Sequence, residues 1–317
     1  MRWRGRSGRT LRDDGRSLAA EVEKAVPTGF CFGVRRAIQS LEHRIAECAR
    51  SGGRGTVYSI GMPIHNPQEV ERLRTMGLEV VDCIEDVPEG APCFIRAHGI
   101  PPEEMRILAV RCGDITDGTC PFVQNAQTKA ALLCREGYPL LVLGDPGHPE
   151  VQGIVGFSTG TVHVARTLSQ VRGLGRMERL GVISQTTQRA DFLGSAVRIL
   201  APKVGELRVF NTICGATSRR QEAVRALSKR VDGIIVIGGR NSANTAKLME
   251  IARSGQKDVL WIEHAGELDG RWCAGKARIG LAAGASTPDW LVEDVKRTIE
   301  KTKGARGMEG YDGRDGA

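Results

Sequence analysis

The chain has 317 residues, of which 41% are hydrophobic and 26% charged, a balance typical of a globular protein with room for two or three modules. The net charge is +8, and six Arg against two Asp in residues 1–20 account for half of it. We expect these residues to be a disordered basic arm, because they lack an amphipathic period and interleaved aromatics, and we expect no nucleic acid as partner. No apolar run is long enough to span a bilayer and no signal peptide is evident, so we predict a cytoplasmic protein without membrane contact.

Short apolar runs alternate with helical patterns along the whole chain. In chain order the predicted strands are V-V-D-C-I, C-F-I-R-A, L-L-V-L-G, L-G-V-I-S, G-I-I-V-I-G, D-V-L-W-I and R-I-G-L-A-A. Strands that end at glycine-rich or polar loops and alternate with helices predict an α/β protein. In such folds the loops at the carboxyl ends of the strands form the functional site.

Three of the nine cysteines share one local context, a loop directly ahead of a helical pattern. They are Cys31, Cys120 and Cys214, spaced by 89 and 94 residues. We expect the unsatisfied N–H groups at a helix N-terminus to lower the pKa of a thiol there and to prepare it to bind metal. The other six lack this context, and we predict that they pack in the core: Cys48, Cys83, Cys93, Cys112, Cys134 and Cys273.

Two polar loops follow each of these cysteines in the same order. The second loops carry His65, His148 and Ser242, and the third loops carry His98, Thr186 and Ser286. Loops in register predict three similar α/β modules arranged with pseudo-threefold symmetry around a central cavity. We place the modules at residues 21–119, 120–210 and 211–303, with a disordered tail at 304–317.

The three cysteines on such an axis can hold three corners of a [4Fe-4S] cluster and leave the fourth iron open to substrate. Three cysteines and a water also suit a catalytic zinc ion, although the absence of a Cys-x-x-Cys pair disfavours a zinc knot. Glu150 is a candidate proton donor if its environment raises its pKa, and otherwise a charge in the first turn of a helix. Imidazolium, hydroxyl and amide donors suited to an oligoanion come from His65, His98, His148, Ser242, Asn244 and Ser286.

With these residues in place, the chain resembles the LytB-type iron-sulfur family of 4-hydroxy-3-methylbut-2-enyl diphosphate reductases from about residue 26 to about residue 303. The shared motifs, in order, are G-F-C-F-G-V-R-R-A-I, I-H-N-P, A-H-G, T-C-P-F-V, G-H-P-E-V-Q-G, S-Q-T-T, T-I-C-x-A-T-x-x-R-Q, N-S-x-N-T and G-A-S-T-P-D. The chain departs from the family at Ala243, where N-S-S-N is usual, and at Gly118, where D-A-T-C is common.

The resemblance implies one [4Fe-4S] cluster per chain, ligated by Cys31, Cys120 and Cys214, with the substrate's hydroxyl on the open iron. Thr186 would hold that hydroxyl and Glu150 would supply protons. The implied reaction is a two-electron, two-proton reductive dehydroxylation to isopentenyl and dimethylallyl diphosphates, the last step of the non-mevalonate isoprenoid route. Ferredoxin or flavodoxin would be the electron donor. The substrate diphosphate would lie among His65, His98, His148, Ser242, Asn244 and Ser286.

Two other functions were considered from the same residues. A cluster enzyme of the quinolinate synthase kind would perform dehydration without net reduction, and its pocket should favour dicarboxylates. A basic RNA-binding protein with packed core cysteines would be colourless and would bind with a steep salt dependence. The histidine and hydroxyl set fits a diphosphate better than either.

Overall fold

The structure, a computed structural model, describes residues 21–50, 55–256 and 258–308. The expected basic arm at 1–20 lies outside these ranges, as do residues 309–317. The strands of the described residues are β1 Glu21–Lys24, β2 Val57–Ile60, β3 Leu78–Val81, β4 Pro92–Ile95, β5 Asp114–Asp117, β6 Leu140–Leu143, β7 Val162–Ala165, β8 Met177–Ser184, β9 Val204–Val209, β10 Gly233–Ile237, β11 Val259–Ile262 and β12 Arg278–Ala283. The α-helices are α1 Phe32–Arg50, α2 Pro67–Met76, α3 Pro102–Arg111, α4 Pro121–Arg135, α5 Pro149–Gly156, α6 Leu168–Gly173, α7 Ala190–Leu200, α8 Gly215–Leu227, α9 Ala243–Gly255 and α10 Asp289–Met308.

The strands form three sheets of four strands each, with orders β3-β2-β4-β5, β7-β6-β8-β9 and β11-β10-β12-β1. Every pair of neighbouring strands is parallel. The three sheets therefore share one strand order, and the predicted set of three similar α/β modules is confirmed. Parallel pairing places the carboxyl ends of all four strands of a sheet at the same edge.

The first strand does not belong to the module to which we assigned it. β1 pairs with β12, with Glu21 opposite Arg278 and Lys24 opposite Leu281. It is the fourth strand of the third sheet, in the place that β5 and β9 take in the other two. The third module is thus built from both ends of the described chain. Its last helix also runs on to Met308, past the expected module end at residue 303.

Burial explains which strands the sequence pattern revealed. β6 (L-L-V-L) and β10 (G-I-I-V-I) are buried at every position, as expected for central strands covered on both faces. β5 (D-I-T-D) is an edge strand with exposed aspartates at both ends, and it carries no continuous apolar run. The apolar runs located the central strands β4, β6, β8, β10 and β12, the edge strand β11 and the end of β3. They missed the edge strands β1, β5, β7 and β9 and also the central strand β2.

Each sheet lies between two clusters of buried aliphatic side chains. The helices that follow β1, β5 and β9 each pack on a different sheet from the strand before them. α1 follows β1 of the third sheet but buries Ala37 and Leu41 against Val57 and Leu78 of the first. In the same way α4 packs on the second sheet and α8 on the third. The loops that precede these three helices therefore lie where two modules meet.

A survey of the helices in the described ranges finds none that is both long enough and apolar enough to cross a bilayer.

Candidate active site

The carboxyl ends of the three sheets surround one cavity. Parts of all three modules line it, because the loops after the strands converge there. The cavity brings together all eleven side chains singled out from the sequence: Cys31, Cys120, Cys214, His65, His98, His148, Glu150, Thr186, Ser242, Asn244 and Ser286. None of the other six cysteines lines it. Cys93 and Cys273 are buried as predicted, but Cys83 is exposed, so its predicted place in the core was wrong.

One end of the cavity carries the three cysteines, each directly before a helix. Cys120 and Cys214 are the N-cap residues of α4 and α8, and Cys31 immediately precedes α1. Each cysteine donates its backbone N–H to a third-loop carbonyl: Cys31 to Ala285 at 3.0 Å, Cys120 to Ala97 at 3.0 Å and Cys214 to Thr186 at 2.9 Å. The repeated bond fixes the three cysteines in equivalent positions at the rims of three different sheets.

The three cysteines at this end could hold a metal cluster through their thiolates. A Cβ atom added at Gly33 would lie only 2.3 Å from Cys120 Sγ, so the absence of a side chain at Gly33 makes room for the sulfur. Burial raises the pKa of Cys120 to about 11, although backbone N–H groups of Phe122 and Val123 oppose the shift. This differs from the lowered pKa that we expected of a helix N-terminus. A metal centre would have to displace the thiol proton, as metal ligation does elsewhere.

A buried carboxyl lies beside the cysteine end. Glu150 is 2% exposed, and its Oε1 accepts a hydrogen bond from Thr186 N at 2.6 Å. The Thr186 hydroxyl donates to Glu150 Oε2 at 2.8 Å. Burial raises the pKa of Glu150 to about 7, and the two bonds from Thr186 limit the rise. The carboxyl can therefore hold or release a proton near neutral pH. This favours the predicted role as a proton donor over that of a simple negative charge in the first turn of α5.

Three histidines form a second compact group that lines the same cavity, called the histidine end below. The ring centroids of His65 and His98 are 4.3 Å apart, and that of His148 lies 5.2 and 5.4 Å from the other two. Burial is the main cause that lowers the pKa of His65 and of His148 to about 4, and it also places the pKa of His98 well below its usual value. The rings are therefore neutral at pH 7, which corrects the imidazolium ions expected from the sequence.

Several buried polar atoms in and around these rings are available to bind an anion. Both ring nitrogens of His65, the Nδ1 of His98 and both amide atoms of Asn244 are buried without a hydrogen-bond partner among the described residues. Buried polar groups in this state are costly unless a ligand satisfies them. The nearest ring nitrogens lie within 4.8 Å of one another, a spacing that could also hold a cation. Arg96 lowers the pKa of all three rings by its charge, however, and a cation next to it is disfavoured.

The two serines already have partners within the protein. Ser242 is the N-cap of α9, and its hydroxyl oxygen accepts from Thr245 N at 3.2 Å. Ser286 donates its hydroxyl to the carbonyl oxygen of His65 at 3.0 Å, which links the third module to the first. Each hydroxyl oxygen retains further hydrogen-bonding capacity toward the cavity.

Several residues that line the cavity were not predicted from the sequence. Thr187 and Thr217 line the cavity within motifs already quoted, and the apolar side chains of Val34, Ile64 and Phe122 complete its walls. The threonines could have been found by asking which residues share a helical turn or loop with Cys214 and Thr186. The buried Arg220 donates from Nη2 to Gly29 O at 2.7 Å and lies near two of the cysteines. Ala243 also faces the cavity, at the position where the family motif usually has serine.

A model of the LytB protein family matches residues 22–300. The chain belongs to the LytB family. Among curated members, the 4-hydroxy-3-methylbut-2-enyl diphosphate reductase of Geobacter sulfurreducens is 43% identical over 281 residues, which are 89% of this chain and 97% of that one. The protein of the same name from Aquifex aeolicus is 42% identical over 276 residues, with coverage of 86% and 93%.

Solved structures of LytB proteins agree with the fold. A structure of (E)-4-hydroxy-3-methyl-but-2-enyl diphosphate reductase, the terminal enzyme of the non-mevalonate pathway, is 40% identical and covers 89% of this chain and 99% of its own, with a TM-score of 0.64. The E-1-hydroxy-2-methyl-but-2-enyl-4-diphosphate reductase of Plasmodium falciparum has a TM-score of 0.78 at 24% identity, with coverage of 88% and 87%. At that identity the second likeness concerns the fold alone.

Proposed function

We propose that this LytB protein removes the allylic hydroxyl of 4-hydroxy-3-methylbut-2-enyl diphosphate by reduction. Two electrons and two protons enter, the C–O bond breaks, and water leaves with isopentenyl or dimethylallyl diphosphate as the product. The observation that carries the proposal is a single cavity with three cysteines at one end, three histidines at the other, and a titratable carboxyl lining it as well. The names of relatives that cover nearly the whole chain agree with it.

Cys31, Cys120 and Cys214 are the residues that would hold a [4Fe-4S] cluster, one per chain. Bound on three thiolates, such a cluster supplies electrons one at a time and offers an open coordination position. The repeated N–H bonds of the three cysteines support this assignment, since they hold the three backbones in equivalent positions at the rims of three sheets. The space that Gly33 leaves beside Cys120 Sγ supports it further.

The far end of the cavity would hold the diphosphate. His65, His98 and Asn244 contribute polar atoms that have no partner in the described protein, and an anion would satisfy their N–H groups. His148, Ser242 and Ser286 complete the pocket. Fixing the diphosphate at a distance from the reacting carbon turns binding energy into orientation of the allyl chain. The apolar side chains of Val34, Ile64 and Phe122 line the same cavity and would help to exclude water from it.

Glu150 and Thr186 would deliver protons to the leaving hydroxyl. A pKa of about 7 keeps a large fraction of Glu150 protonated at neutral pH. The 2.8 Å contact with Thr186 Oγ1 can carry a proton in either direction, because a protonated carboxyl can donate to a hydroxyl that donates onward. Protonation matters here because hydroxide is a poor leaving group, and a positioned acid is typically worth about 10² to 10⁴ in rate.

The electrons would come from a small carrier such as a ferredoxin or flavodoxin in the cytoplasm. All nine cysteines are free thiols in the structure, as expected of a protein that works in a reducing compartment.

Anaerobic turnover tests the proposed function. Protein purified without oxygen should be brown, contain about four irons per chain, and release both isopentenyl and dimethylallyl diphosphates when given the substrate and a reduced dye. Mass spectrometry of the products and an iron assay measure these outcomes. A colourless protein that binds RNA with a steep salt dependence, or a brown one that dehydrates a dicarboxylate and leaves the diphosphate intact, would contradict it.

A further inference from the structure

A half-buried arginine lies close to the histidine group. Arg96 follows β4 and precedes His98 by two residues. An added Cβ at Gly61 would lie 2.7 Å from Arg96 Nη1, so the guanidinium packs against the backbone of the loop that leads to His65. Ala97 N donates to Pro63 O at 3.2 Å and fastens the two loops together. Arg96 is thus enclosed by the two segments that carry His65 and His98.

The charge of this arginine is poorly compensated by the protein. Within the described ranges its Nε atom is buried without a hydrogen-bond partner. Burial lowers the pKa of Arg96, and the single carboxylate that opposes the shift, Glu104, acts through its charge without a hydrogen bond. A guanidinium remains protonated under such conditions. A partly buried, weakly paired cation costs folding free energy, so its place in the fold calls for a functional reason.

The positive charge of Arg96 acts on all three histidines. Its charge lowers the pKa of His65, His98 and His148. Asp145 is the carboxylate that acts in the other direction, and it does so on His148 alone. With neutral rings, hydroxyls and an amide as the only direct donors, the proposed diphosphate pocket would otherwise hold an anion by neutral groups only. A fixed positive charge behind the rings supplies what they lack.

We propose that Arg96 is a positioning residue for the diphosphate: its fixed charge, behind the loops of His65 and His98, draws the anion into the pocket. The proposal rests on the proposed function, because it takes the histidine end to be the diphosphate site. Arg96 needs no contact with the ligand, since a charge in a low-dielectric environment acts over several ångströms. It also explains why the rings can stay neutral without losing the anion.

Binding of inorganic diphosphate to anaerobically purified holoprotein, measured by calorimetry, tests this inference separately from turnover. In Arg96→Gln we expect the Kd to rise by a factor of about 10 to 30, as the loss of one charge at several ångströms predicts. Arg96→Lys should recover most of the affinity. Arg44→Gln is the control, since Arg44 is a half-buried arginine of the same module that pairs with Glu47 and Asp114. It should bind diphosphate as the wild type does.

Two further readouts separate a charge role from a packing role. Removing an uncompensated buried charge should leave the melting temperature of Arg96→Gln equal or higher, whereas loss of a packing residue would lower it. The histidine titrations of Arg96→Gln, followed by NMR, should shift to higher pH because the repelling charge is gone. In turnover, KM should rise while kcat changes little.

Three results would overturn the inference. The first is a Kd of Arg96→Gln within twofold of the wild type while the wild type still turns over its substrate, which leaves the proposed function intact. The second is an equal loss of affinity in the lysine and glutamine variants, which assigns Arg96 to shape and not to charge. The third is a wild type that binds no diphosphate, which contradicts the proposed function as well.

Discussion

The cysteine end and the histidine end of the cavity are built on the same three repeated modules, yet only the cysteine end repeats its side chains. There, one residue type recurs before α1, α4 and α8 and makes the same backbone bond each time. At the other end, the helix N-caps that follow the second loops are Asn66, His148 and Ser242. His65 lies one residue before its cap, so the second loops are not matched position by position.

The difference follows the symmetry of what each end is proposed to hold. Three corners of a cubane are equivalent, and three equivalent sulfurs suit them. A linear substrate with a diphosphate at one end and a hydroxyl at the other has no threefold symmetry, so equivalent backbone positions must carry different groups. Glu150 and Asn244 illustrate this, because each lies two residues after its N-cap and lines the cavity, one as an acid and one as an amide. Four experiments test this difference between the two ends of the cavity.

Removing one sulfur should have the largest effect. In Cys120→Ser we expect loss of the absorbance near 400 nm and a fall in turnover of roughly a hundredfold or more, because one corner of the cluster loses its ligand. Cys134→Ser, on the same helix but outside the cavity, is the matched control and should keep both. Visible spectra and iron content of anaerobically purified variants measure the outcome. Equal loss in both variants would contradict the distinction between ligand and core cysteines.

Removing the acid should lower the rate without removing the cluster. We expect Glu150→Gln to reduce kcat by about 10² to 10⁴, the usual worth of a positioned acid. In the wild type the protonated form is the active one, so the rate should fall as the pH rises through the Glu150 pKa of about 7. That limb of the pH profile should vanish in the variant. Full activity in Glu150→Gln would remove Glu150 from the proton path.

Filling the space beside one sulfur should disturb the cysteine end alone. Because an added Cβ at Gly33 would lie 2.3 Å from Cys120 Sγ, we expect Gly33→Ala to lower cluster content and cost about 1 to 3 kcal/mol in stability. Diphosphate affinity should change little. Gly194→Ala is the control, since nothing lies within 4 Å of its added Cβ and alanine in the interior of α7 should stabilise by about 0.5 to 1 kcal/mol. Iron assays and thermal melts compare the two.

Adding a donor at the polar end should have the smallest effect. Ala243 lines the cavity where the family usually has serine, so Ala243→Ser should tighten substrate binding about three- to tenfold through one extra hydrogen bond to a charged group. Ala246→Ser, one turn further along α9 and outside the cavity lining, should leave KM unchanged. An unchanged KM in Ala243→Ser would count against the placement of the diphosphate at this end.

Much of this contrast could be predicted from the sequence, because a buried strand and the loop after it differ in composition. An apolar run is followed by a glycine-rich or polar segment. The cysteine loops and the polar loops were located by their spacing, and the cavity brings them together. The pairing of β1 with β12 could not be read in this way, since it joins Glu21 to Arg278 and a four-residue edge strand leaves a weak pattern. The neutral state of His65 and the raised pKa of Cys120 depend on burial, which only the folded chain supplies.

Arg96 was missed for a related reason. In the sequence it is one arginine among many beside an apolar run, and nothing local distinguishes it from a surface cation. Its importance in the structure comes from what surrounds it: the backbone of Gly61, an unpartnered Nε and three neighbouring rings. A charge that acts on a site without lining it leaves no sequence motif. Its effect depends on its distance from the site and its burial, and not on spacing along the chain.

The strand that closes the third sheet has a consequence for the order in which the protein is made. β1 and Cys31 leave the ribosome well before β12 and before Ala285, whose carbonyl accepts the hydrogen bond from the Cys31 N–H. The first two sheets can assemble during synthesis, as N-terminal units commonly do. Cys31 cannot reach its place until translation has passed residue 285. A nascent chain shorter than this therefore presents no complete set of three sulfurs, and loading of the proposed cluster would have to wait until Ala285 has left the ribosome.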